Sequence, residues 1–285
     1  MDKVVSFPGL GLEFHFSNVA FSIGEKPIYW YGIIIAAGFI LAVIYTSRRA
    51  PQFGISGDDL SDMAILALPV AVICARIYYV IFQWEDYKDN LSEVIAIWHG
   101  GLAIYGGVIG GILCCFVFCR VKKIHPLDMM DVACIGLMMG QSIGRWGNFV
   151  NCEAFGSLTG LPWRMCIGQT IAECGALGNH PTFFYESLWN AAVVLLLHFF
   201  SGSRHRKYRG EVLLGYFIWY GLGRFWIEGL RTDSLYIPGT ALRVSQAVAL
   251  LSFLGGLLIF VINRKKHFLR PVGAMQTKTE ENNEK

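Results

Sequence analysis

The stretch GRWGNFVNCEAFG, residues 144–156, decides how the rest of this sequence is interpreted. It follows the uncharged apolar run Val132–Met139 and places an arginine, two asparagines and a glutamate within nine residues. An arginine at the centre of a bilayer costs about 2.5–3.5 kcal/mol on insertion scales, so such residues usually face a protein interior or an aqueous cavity. We therefore interpret the stretch as a functional site at a membrane boundary.

The composition of the 285-residue chain is that of a membrane protein. Hydrophobic residues make up 54% of the chain and charged residues 16%, with a mean hydropathy of +0.46. An average globular chain carries about 25% charged residues. The formal net charge of +3 is too small to indicate a nucleic-acid partner. None of the eight cysteines forms a C-x-x-C pair, so neither a zinc site nor a thioredoxin-type site is expected.

Seven apolar segments each approach the ~20 residues that cross about 30 Å of hydrocarbon. They are Ile28–Ser47, Leu60–Phe82, Gly101–Cys119, Val132–Val150, Phe183–Phe200, Val212–Leu230 and Leu242–Ile262. The sequence thus predicts an all-α integral membrane protein with seven transmembrane helices. The predicted organisation is an outer-face surface arm at 1–27, a transmembrane domain at 28–263 with an outer loop at 157–181, and a disordered cytoplasmic tail at 264–285.

The distribution of lysine and arginine orients these segments. The loops after odd-numbered segments and the tail carry fifteen of these residues, and the opposite side carries six. By the positive-inside rule, the amino terminus is outside and the carboxyl terminus is cytoplasmic. The remaining three, Arg76, Arg145 and Arg224, lie within segments. This orientation puts all three in the outer half of the bilayer.

Other polar side chains fall at the same depth, including Tyr31, Tyr105 and Glu186. On the sixth segment, helical spacing places Tyr220, Arg224 and Glu228 in one stripe. A guanidinium is always charged and binds oxyanions bidentately, which suits a phosphate. Three arginines within the membrane that open toward the outer leaflet therefore indicate an anionic lipid headgroup as the ligand.

Each of these residues also has a structural interpretation. Arg224 and Glu228 could form an ion pair, and Arg76 could extend to the interface. Asn148 and Asn151 could bond between helices, as amides do in membrane bundles. Glycines at four-residue spacing indicate close helix packing. They are Gly136, Gly140 and Gly144, and the pairs within Gly100–Gly111.

The chain resembles the bacterial prolipoprotein diacylglyceryl transferase family. The family signature G-R-x-x-N-F-x-N-x-E-x-x-G is met at every fixed position, by Gly144, Arg145, Asn148, Phe149, Asn151, Glu153 and Gly156. The resemblance extends to Phe21–Gly24, Trp30–Gly32, Ala75–Val80, Gly100–Gly107, His180–Glu186 and Tyr220–Glu228. It therefore covers nearly the whole chain.

The resemblance implies an enzyme that moves the diacylglyceryl group of phosphatidylglycerol onto the lipobox cysteine of a prolipoprotein, as the first step of lipoprotein maturation. The reaction makes a thioether and releases glycerol phosphate. The implied setting is the bacterial plasma membrane, crossed several times, with the site toward the outer leaflet. The implied partners are phosphatidylglycerol, the prolipoprotein signal peptide and the lipid bilayer. No metal or other cofactor is implied.

The predicted site combines the residues that match the family with those at the same depth. The predicted catalytic residues are Arg145, Arg224, Tyr105 and Asn148, with the two arginines holding the phosphate. The predicted substrate-binding residues are Tyr31, Arg76, Asn151, Glu153, Gly156, Glu186, Tyr220 and Glu228.

The sequence leaves the base open. Tyr105 stands where some family members have a histidine that is proposed as the base. A phenol with a pKa of about 10 is a poor base at neutral pH unless neighbouring cations depress that value. The substrate thiol, with a pKa of about 8.5, could instead lose its proton by other means, including the electropositive cavity itself. The state of Cys166 and Cys174, which fall in one loop and could form a disulfide, is also open.

Two other functions compete with this interpretation. A transporter for an organic anion would have polar residues continuing across the membrane, or broken helices in an inverted repeat. The sequence has neither pattern. Another phospholipid enzyme, with water or an alcohol as acceptor, fits the composition equally well. The thirteen-residue signature argues against it.

Overall fold

The computed structural model describes residues 2–236, 239–240 and 242–272, and most of these residues are helical. This part of the chain has seven long α-helices, each overlapping one of the predicted apolar segments. They are α1 (Trp30–Arg49), α2 (Gly57–Phe82), α3 (Ile104–Lys122), α4 (Pro126–Asn151), α5 (Thr182–Ser201), α6 (Glu211–Glu228) and α7 (Val244–Lys266).

Five of the helices within the described ranges are long and apolar enough to cross a membrane, which makes the chain a multi-pass membrane protein. They are α1 with its 3-10 extension (Trp30–Phe53), α2, α3, α5 and α7. The other two carry more polar side chains, including Arg145 in α4 and Arg224 and Glu228 in α6. The residues predicted to form the site thus lower the hydropathy of the two helices that hold them. Seven spans and their orientation stay predictions.

Helices α2 and α4 begin before the apolar segments that predicted them. The Ser56 hydroxyl caps α2 by accepting a hydrogen bond from the backbone N–H of Asp58 at 3.1 Å. Helix α4 starts with Pro126, whose fixed φ and missing N–H suit the first helical position. Both first turns contain aspartate, which favours a helix amino terminus. A search for apolar runs misses such polar first turns.

The strict all-α prediction is wrong, because the described chain also has seven short strands. They are β1 (Asp2–Phe7), β2 (Leu12–Ser17), β3 (Val19–Ile23), β4 (Lys26–Tyr29), β5 (Leu158–Thr159), β6 (Cys166–Ile167) and β7 (Gly178–Asn179). They form three antiparallel sheets in the orders β2-β1-β6, β3-β4 and β5-β7. The sequence LEFHFS of β2 alternates apolar and polar residues, which is the period of a strand. The expected surface arm is therefore built of hairpins.

A small aromatic core joins the amino-terminal sheet to the helices that carry the site. Its buried residues are Val5 of β1, Met165 of the loop before β6, and Phe183 of α5. The ring of Phe149 lies 4.9 Å from that of Phe183 and 5.4 Å from that of Phe16, between centroids. Phe149, the aromatic position of the signature, thus fixes the end of α4 by packing.

The chain divides into two compact units, residues 1–42 with 134–285 and residues 43–133. In the first unit, α1 packs closely on the glycine face of α4. A Cβ placed on Gly147 would lie 2.7 Å from Cδ2 of Tyr31, and one on Gly144 would lie 3.1 Å from Cδ1 of Ile35. The glycines therefore let α1 approach and put the Tyr31 ring beside the signature.

Helices α4 and α5 are joined by a reciprocal pair of buried hydrogen bonds. The Ser142 hydroxyl donates to the carbonyl oxygen of Ser187, and the Ser187 hydroxyl donates to that of Ser142, each at 2.8 Å. The indole N–H of Trp146 also donates to the Ser187 hydroxyl at 3.1 Å. Such bonds fix the register of two helices where the surroundings are apolar.

In the second unit, α2 and α3 pack through the predicted glycine repeat. A Cβ on Gly106 would lie 2.5 Å from the carbonyl oxygen of Cys74, and one on Gly110 would lie 2.6 Å from the Cβ of Cys74. No larger residue fits these positions without separating the helices. The close-packing interpretation of this repeat is confirmed.

Two further features concern the predicted outer loop and tail. Cys166 and Cys174 form a disulfide, with their Cα atoms 6.0 Å apart. Helix α7 continues to Lys266, past the predicted start of the tail, and Pro271 then pairs with Tyr208 in an isolated bridge. Residues 273–285, most of the predicted tail, lie outside the described residues.

Candidate active site

Three helices of the first unit bring two arginines to one carboxylate. Glu186 of α5 is only 3% exposed. Its Oε1 accepts a hydrogen bond from Nη2 of Arg145 on α4 at 2.5 Å, and its Oε2 accepts one from Nη1 of Arg224 on α6 at 3.0 Å. The sequence predicted these residues at one depth, whereas their direct contact through Glu186 comes from the structure.

A second buried carboxylate balances the charge. Oε2 of Glu228 lies 2.6 Å from Nη2 of Arg224, so the ion pair expected from their spacing is present. Two carboxylates thus compensate two guanidiniums, as charges removed from water require. The side chains of Arg145 and Arg224 remain 21% and 15% exposed. Each guanidinium has five N–H donors, so some remain for a ligand.

A chain of amides connects Arg145 to the end of the signature. Nη1 of Arg145 donates to Oδ1 of Asn148 at 3.3 Å, and Nδ2 of Asn148 donates to Oε1 of Glu153 at 2.9 Å. Nδ2 of Asn151 donates to the same Oε1 at 3.3 Å. The two asparagines therefore bond within the signature.

The turn after α4 points Glu153 back toward these asparagines. Cys152 and Ala154 have φ angles of 55° and 56°, a left-handed conformation that is uncommon for residues other than glycine. The backbone N–H of Glu153 donates to the carbonyl oxygen of Asn148 at 3.0 Å, and Thr182 donates to that of Ala154 at 2.5 Å. Backbone contacts thus hold an unfavourable conformation at the site, as is frequent in functional regions.

Gly156 is enclosed by backbone and side-chain atoms. A Cβ there would lie 2.7 Å from the Cβ of His180 and 3.0 Å from the carbonyl oxygen of Leu230. Its N–H donates to the carbonyl oxygen of His180 at 2.9 Å, and its own carbonyl accepts from Asn179 at the same distance. These contacts favour a structural role, and its place among the substrate-binding residues stays a prediction. Burial lowers the pKa of the His180 ring below its ordinary value.

Tyr220 lies one turn before Arg224 and belongs to an aromatic stack on α6. Its ring is nearly parallel to that of Tyr216, at 5° and 5.4 Å between centroids. The Tyr216 hydroxyl accepts a hydrogen bond from Nε2 of Gln141 on α4 at 3.4 Å. The stacked rings and this hydrogen bond extend the polar site along the contact between α4 and α6.

A cavity of about 820 Å³ lies beside the signature within the first unit. Its polar lining includes Lys3, Asn18, Asn151 and Glu153, and Tyr31 also lines it. The cavity is broadly open at the protein surface, so a ligand can reach these residues from outside. The cavity therefore gives the predicted residues Tyr31, Asn151 and Glu153 a common space.

Sequence reasoning missed Lys3 and the Arg231–Asp233 pair. Nζ of Lys3 donates to the carbonyl oxygen of Asn151 at 2.6 Å. The only sequence signal for Lys3 was its place on the side of the membrane that is predicted to carry few basic residues. Arg231 binds Asp233 through two hydrogen bonds of 2.9 and 2.6 Å. This contact lowers the pKa of the Asp233 carboxyl below its ordinary value, although burial acts in the opposite direction.

Arg76 belongs to the second unit, where its guanidinium is bound to the backbone. It is 5% exposed and donates four hydrogen bonds of 2.5–2.9 Å to carbonyl oxygens. These belong to Glu93, Val94, Gly100 and Gly101. The contacts favour a structural role in the connection between α2 and α3 rather than an extension to the interface. Its place among the substrate-binding residues stays a prediction.

Tyr105 also belongs to the second unit, where it is exposed in the first turn of α3. The structure thus divides the predicted residues: Arg76 and Tyr105 lie in the second unit, and the other ten lie in the first. Within the described ranges, no group of three or more His, Cys, Asp or Glu residues could hold a metal ion.

Comparison with known proteins agrees with the signature. A sequence model of the family described as prolipoprotein diacylglyceryl transferase matches residues 18–262. The chain is 44% identical over 262 residues to the phosphatidylglycerol–prolipoprotein diacylglyceryl transferase of Limosilactobacillus reuteri (strain DSM 20016), covering 90% of this chain and 94% of that protein.

Proteins of the same name from two other organisms are similarly close. The Clostridioides difficile (strain 630) protein is 43% identical over 250 residues, or 88% of this chain and 96% of that one. The Streptococcus mutans serotype c protein is 45% identical over 253 residues, which cover 87% of this chain and 96% of that protein.

Proposed function

Because the chain belongs to the prolipoprotein diacylglyceryl transferase family, we propose that it transfers the diacylglyceryl group of phosphatidylglycerol to the lipobox cysteine of a prolipoprotein. The product is a thioether, and glycerol phosphate is released. Family membership confirms the resemblance inferred from the signature and, with it, a transferase activity. The match over residues 18–262 is the observation that carries the proposal.

In the proposed reaction, the substrate sulfur attacks the glycerol carbon that bears the phosphate ester. The nucleophile belongs to the substrate, so the enzyme contributes positioning and electrostatic stabilisation. Arg145 and Arg224 bind the phosphate with N–H donors that their carboxylate partners leave free. Negative charge grows on the departing phosphate as the carbon–oxygen bond breaks, so two fixed guanidiniums favour that step.

Glu186 and Glu228 set the orientation of the two arginines. Glu186 bonds both guanidiniums, and Glu228 holds a second nitrogen of Arg224. Asn148 contacts the other terminal nitrogen of Arg145. A phosphate then meets donors that are already aligned, which reduces the reorganisation needed during the reaction.

Tyr31, Asn151 and Glu153 bind substrate from the cavity of about 820 Å³ that they line, and Tyr220 does so from α6. The volume suits a lipid headgroup or a short peptide segment. The proposed partners are phosphatidylglycerol, the lipobox region of a prolipoprotein signal peptide and the surrounding bilayer. The chemistry requires neither a metal nor an organic cofactor.

We place all seven long helices across the bacterial plasma membrane, with the amino terminus and the site toward the outer leaflet. The distribution of lysine and arginine supports this orientation. The polar side chains of α4 and α6 are compatible with a span because the charges of Arg145, Arg224 and Glu228 are paired inside the protein. A disulfide at Cys166–Cys174 also suits a loop outside the cytoplasm.

The transfer reaction is tested with membranes that contain this protein. Phosphatidylglycerol and a lipobox peptide are added, and the thioether product is sought by mass. A peptide with serine in place of cysteine, and phosphatidylethanolamine in place of phosphatidylglycerol, are the controls. Product from the complete mixture alone supports the proposal. Its absence with correctly inserted protein contradicts it.

Topology is tested with two single-cysteine variants that lie on opposite predicted sides. Leu177→Cys is in the outer loop and Lys207→Cys is between α5 and α6, and both positions are exposed. A membrane-impermeant maleimide added to intact cells should label the first variant only. Labelling of Lys207→Cys before the membranes are opened would show that the orientation is opposite to the proposed one.

A further inference from the structure

Glu153 has one carboxylate oxygen that is not used inside the described chain. Its Oε1 accepts hydrogen bonds from Asn148 and Asn151 at 2.9 and 3.3 Å. Its Oε2 has neither a hydrogen bond nor an ion pair to any residue that the structure describes. The side chain is exposed and lines the cavity of about 820 Å³. It therefore presents a free acceptor where a substrate can reach it.

The other carboxylates near the end of α4 and α6 are bound by arginine. Glu186 is held by two guanidiniums, Glu228 by Arg224, and Asp233 by Arg231. Glu186 and Asp233 use both carboxylate oxygens in these contacts, and Glu228 is only 2% exposed, so a substrate has little access to them. Glu153 is held by neutral amides instead. Of these four acids, it is the one whose environment suits proton transfer.

We propose that Glu153 is the base that accepts the proton of the acceptor thiol, which enters through the cavity that Glu153 borders. This inference rests on the proposed transfer reaction. The S–H bond breaks and its proton passes to Oε2 of Glu153. The sulfur electron pair forms the bond to the glycerol carbon, and the carbon–oxygen bond to phosphate breaks. The phosphate of glycerol phosphate leaves with that pair, and Glu153 returns its proton to water or to this phosphate.

The charges that surround Glu153 support this transfer. Lys3 of β1 lines the same cavity, and Arg145 is linked to Glu153 through Asn148. The titratable groups on adjoining segments also include Tyr29, Tyr31, Cys152 and His180. A thiol has a pKa of about 8.5 and a glutamate one of about 4.3, so the cations must lower the thiol value for a carboxylate to act. Nearby lysine and arginine do so for cysteines in general.

The decisive variant is Glu153→Gln. Both asparagines donate to Oε1 alone, so a glutamine with its oxygen at that position keeps both hydrogen bonds. Only the charge and the free acceptor are lost. The matched control is Glu25→Gln, which changes an exposed glutamate in the turn between β3 and β4.

The rate of thioether formation is measured from about pH 6 to 10 with saturating phosphatidylglycerol. At neutral pH, Glu153→Gln should be slower than wild type by about 100-fold or more, the usual effect of a general base. Its rate should then rise about tenfold per pH unit toward the thiol pKa, because hydroxide replaces the missing base. A selenocysteine peptide, whose selenol is ionised at neutral pH, should restore its activity.

Two outcomes overturn the inference. One is a Glu153→Gln rate that equals wild type at every pH. The other is a rate that falls equally at every pH and is not restored by the selenocysteine peptide, since that pattern indicates a structural or binding role. Wild-type product formation tests the proposed function separately. If wild type forms no thioether, the proposed transfer reaction itself is contradicted, and not only the identity of its base.

Discussion

Arg145 of α4 donates a 2.5 Å hydrogen bond to the carboxylate of Glu186 on α5, and the two residues are 41 positions apart in the chain. This contact joins the signature to a segment outside it. Because the same carboxylate also accepts a hydrogen bond from Arg224, it joins arginines of two helices into one cluster, which we propose binds the phosphate.

Replacing either arginine by alanine should abolish transfer. Arg145→Ala or Arg224→Ala removes a donor from the leaving phosphate, and the loss of one such donor typically costs about 10²–10³ in rate. The measurement is the initial rate of thioether formation at matched protein abundance in the membrane. Full activity of either variant would contradict its role in binding the phosphate.

Glu186→Gln should weaken both folding and activity. The amide retains one oxygen and turns N–H donors toward the second guanidinium, so one of the two contacts between arginine and Glu186 is lost. Breaking a buried pair in this way typically costs about 3–5 kcal/mol of stability. The thermal midpoint of the purified protein should fall, and Glu25→Gln is the exposed control. An unchanged midpoint would show that the arginines do not depend on Glu186.

Gly156→Ala should destabilise the loop that follows the signature. The added Cβ would lie 2.7 Å from the Cβ of His180, and overpacking of this kind costs about 1–3 kcal/mol. Gly160→Ala is the matched control, because its Cβ would meet its nearest atom at 3.8 Å. Thermal unfolding compares the two variants. Equal midpoints would remove the steric explanation for a glycine at 156.

Arg76→Met should reduce the amount of folded protein rather than lower only its affinity for lipid. The substitution leaves four backbone carbonyl oxygens without the donor that binds them, and an unsatisfied buried acceptor costs about 1–3 kcal/mol. Arg120→Met, at an exposed position on α3, is the control. If Arg76→Met is normally abundant and stable but has a raised KM for phosphatidylglycerol, Arg76 contacts substrate.

Tyr105→Phe should keep most of the activity if Glu153, as we propose, takes the thiol proton. The ring is retained, so packing changes little. Rates at several pH values compare Tyr105→Phe with wild type and with Tyr105→His. A Phe variant that loses about 100-fold or more, together with an active His variant, would assign the base to residue 105 instead.

The helices of this protein could be predicted well from sequence, and their polar ends less well. Apolar runs located all seven helices because burial in lipid requires a long, continuous apolar surface. They missed the first turns of α2 and α4, where Ser56 and Pro126 start a helix with polar residues. They also missed the amino-terminal hairpins, whose alternating pattern in Leu12–Ser17 is short and was outweighed by composition.

The sequence by itself determined the family and the signature, and it predicted the residues of the candidate site, because fixed spacing along one helix end identifies a group of side chains. The tertiary structure alone decided how those residues are paired. Contacts such as Glu186 with two arginines depend on how separate helices pack, and helix spacing within one segment does not encode them. The structure also showed that Glu153 has an oxygen without a partner among the described residues, whereas the other carboxylates near the site are bound by arginine. Only the neighbours in three dimensions reveal this difference.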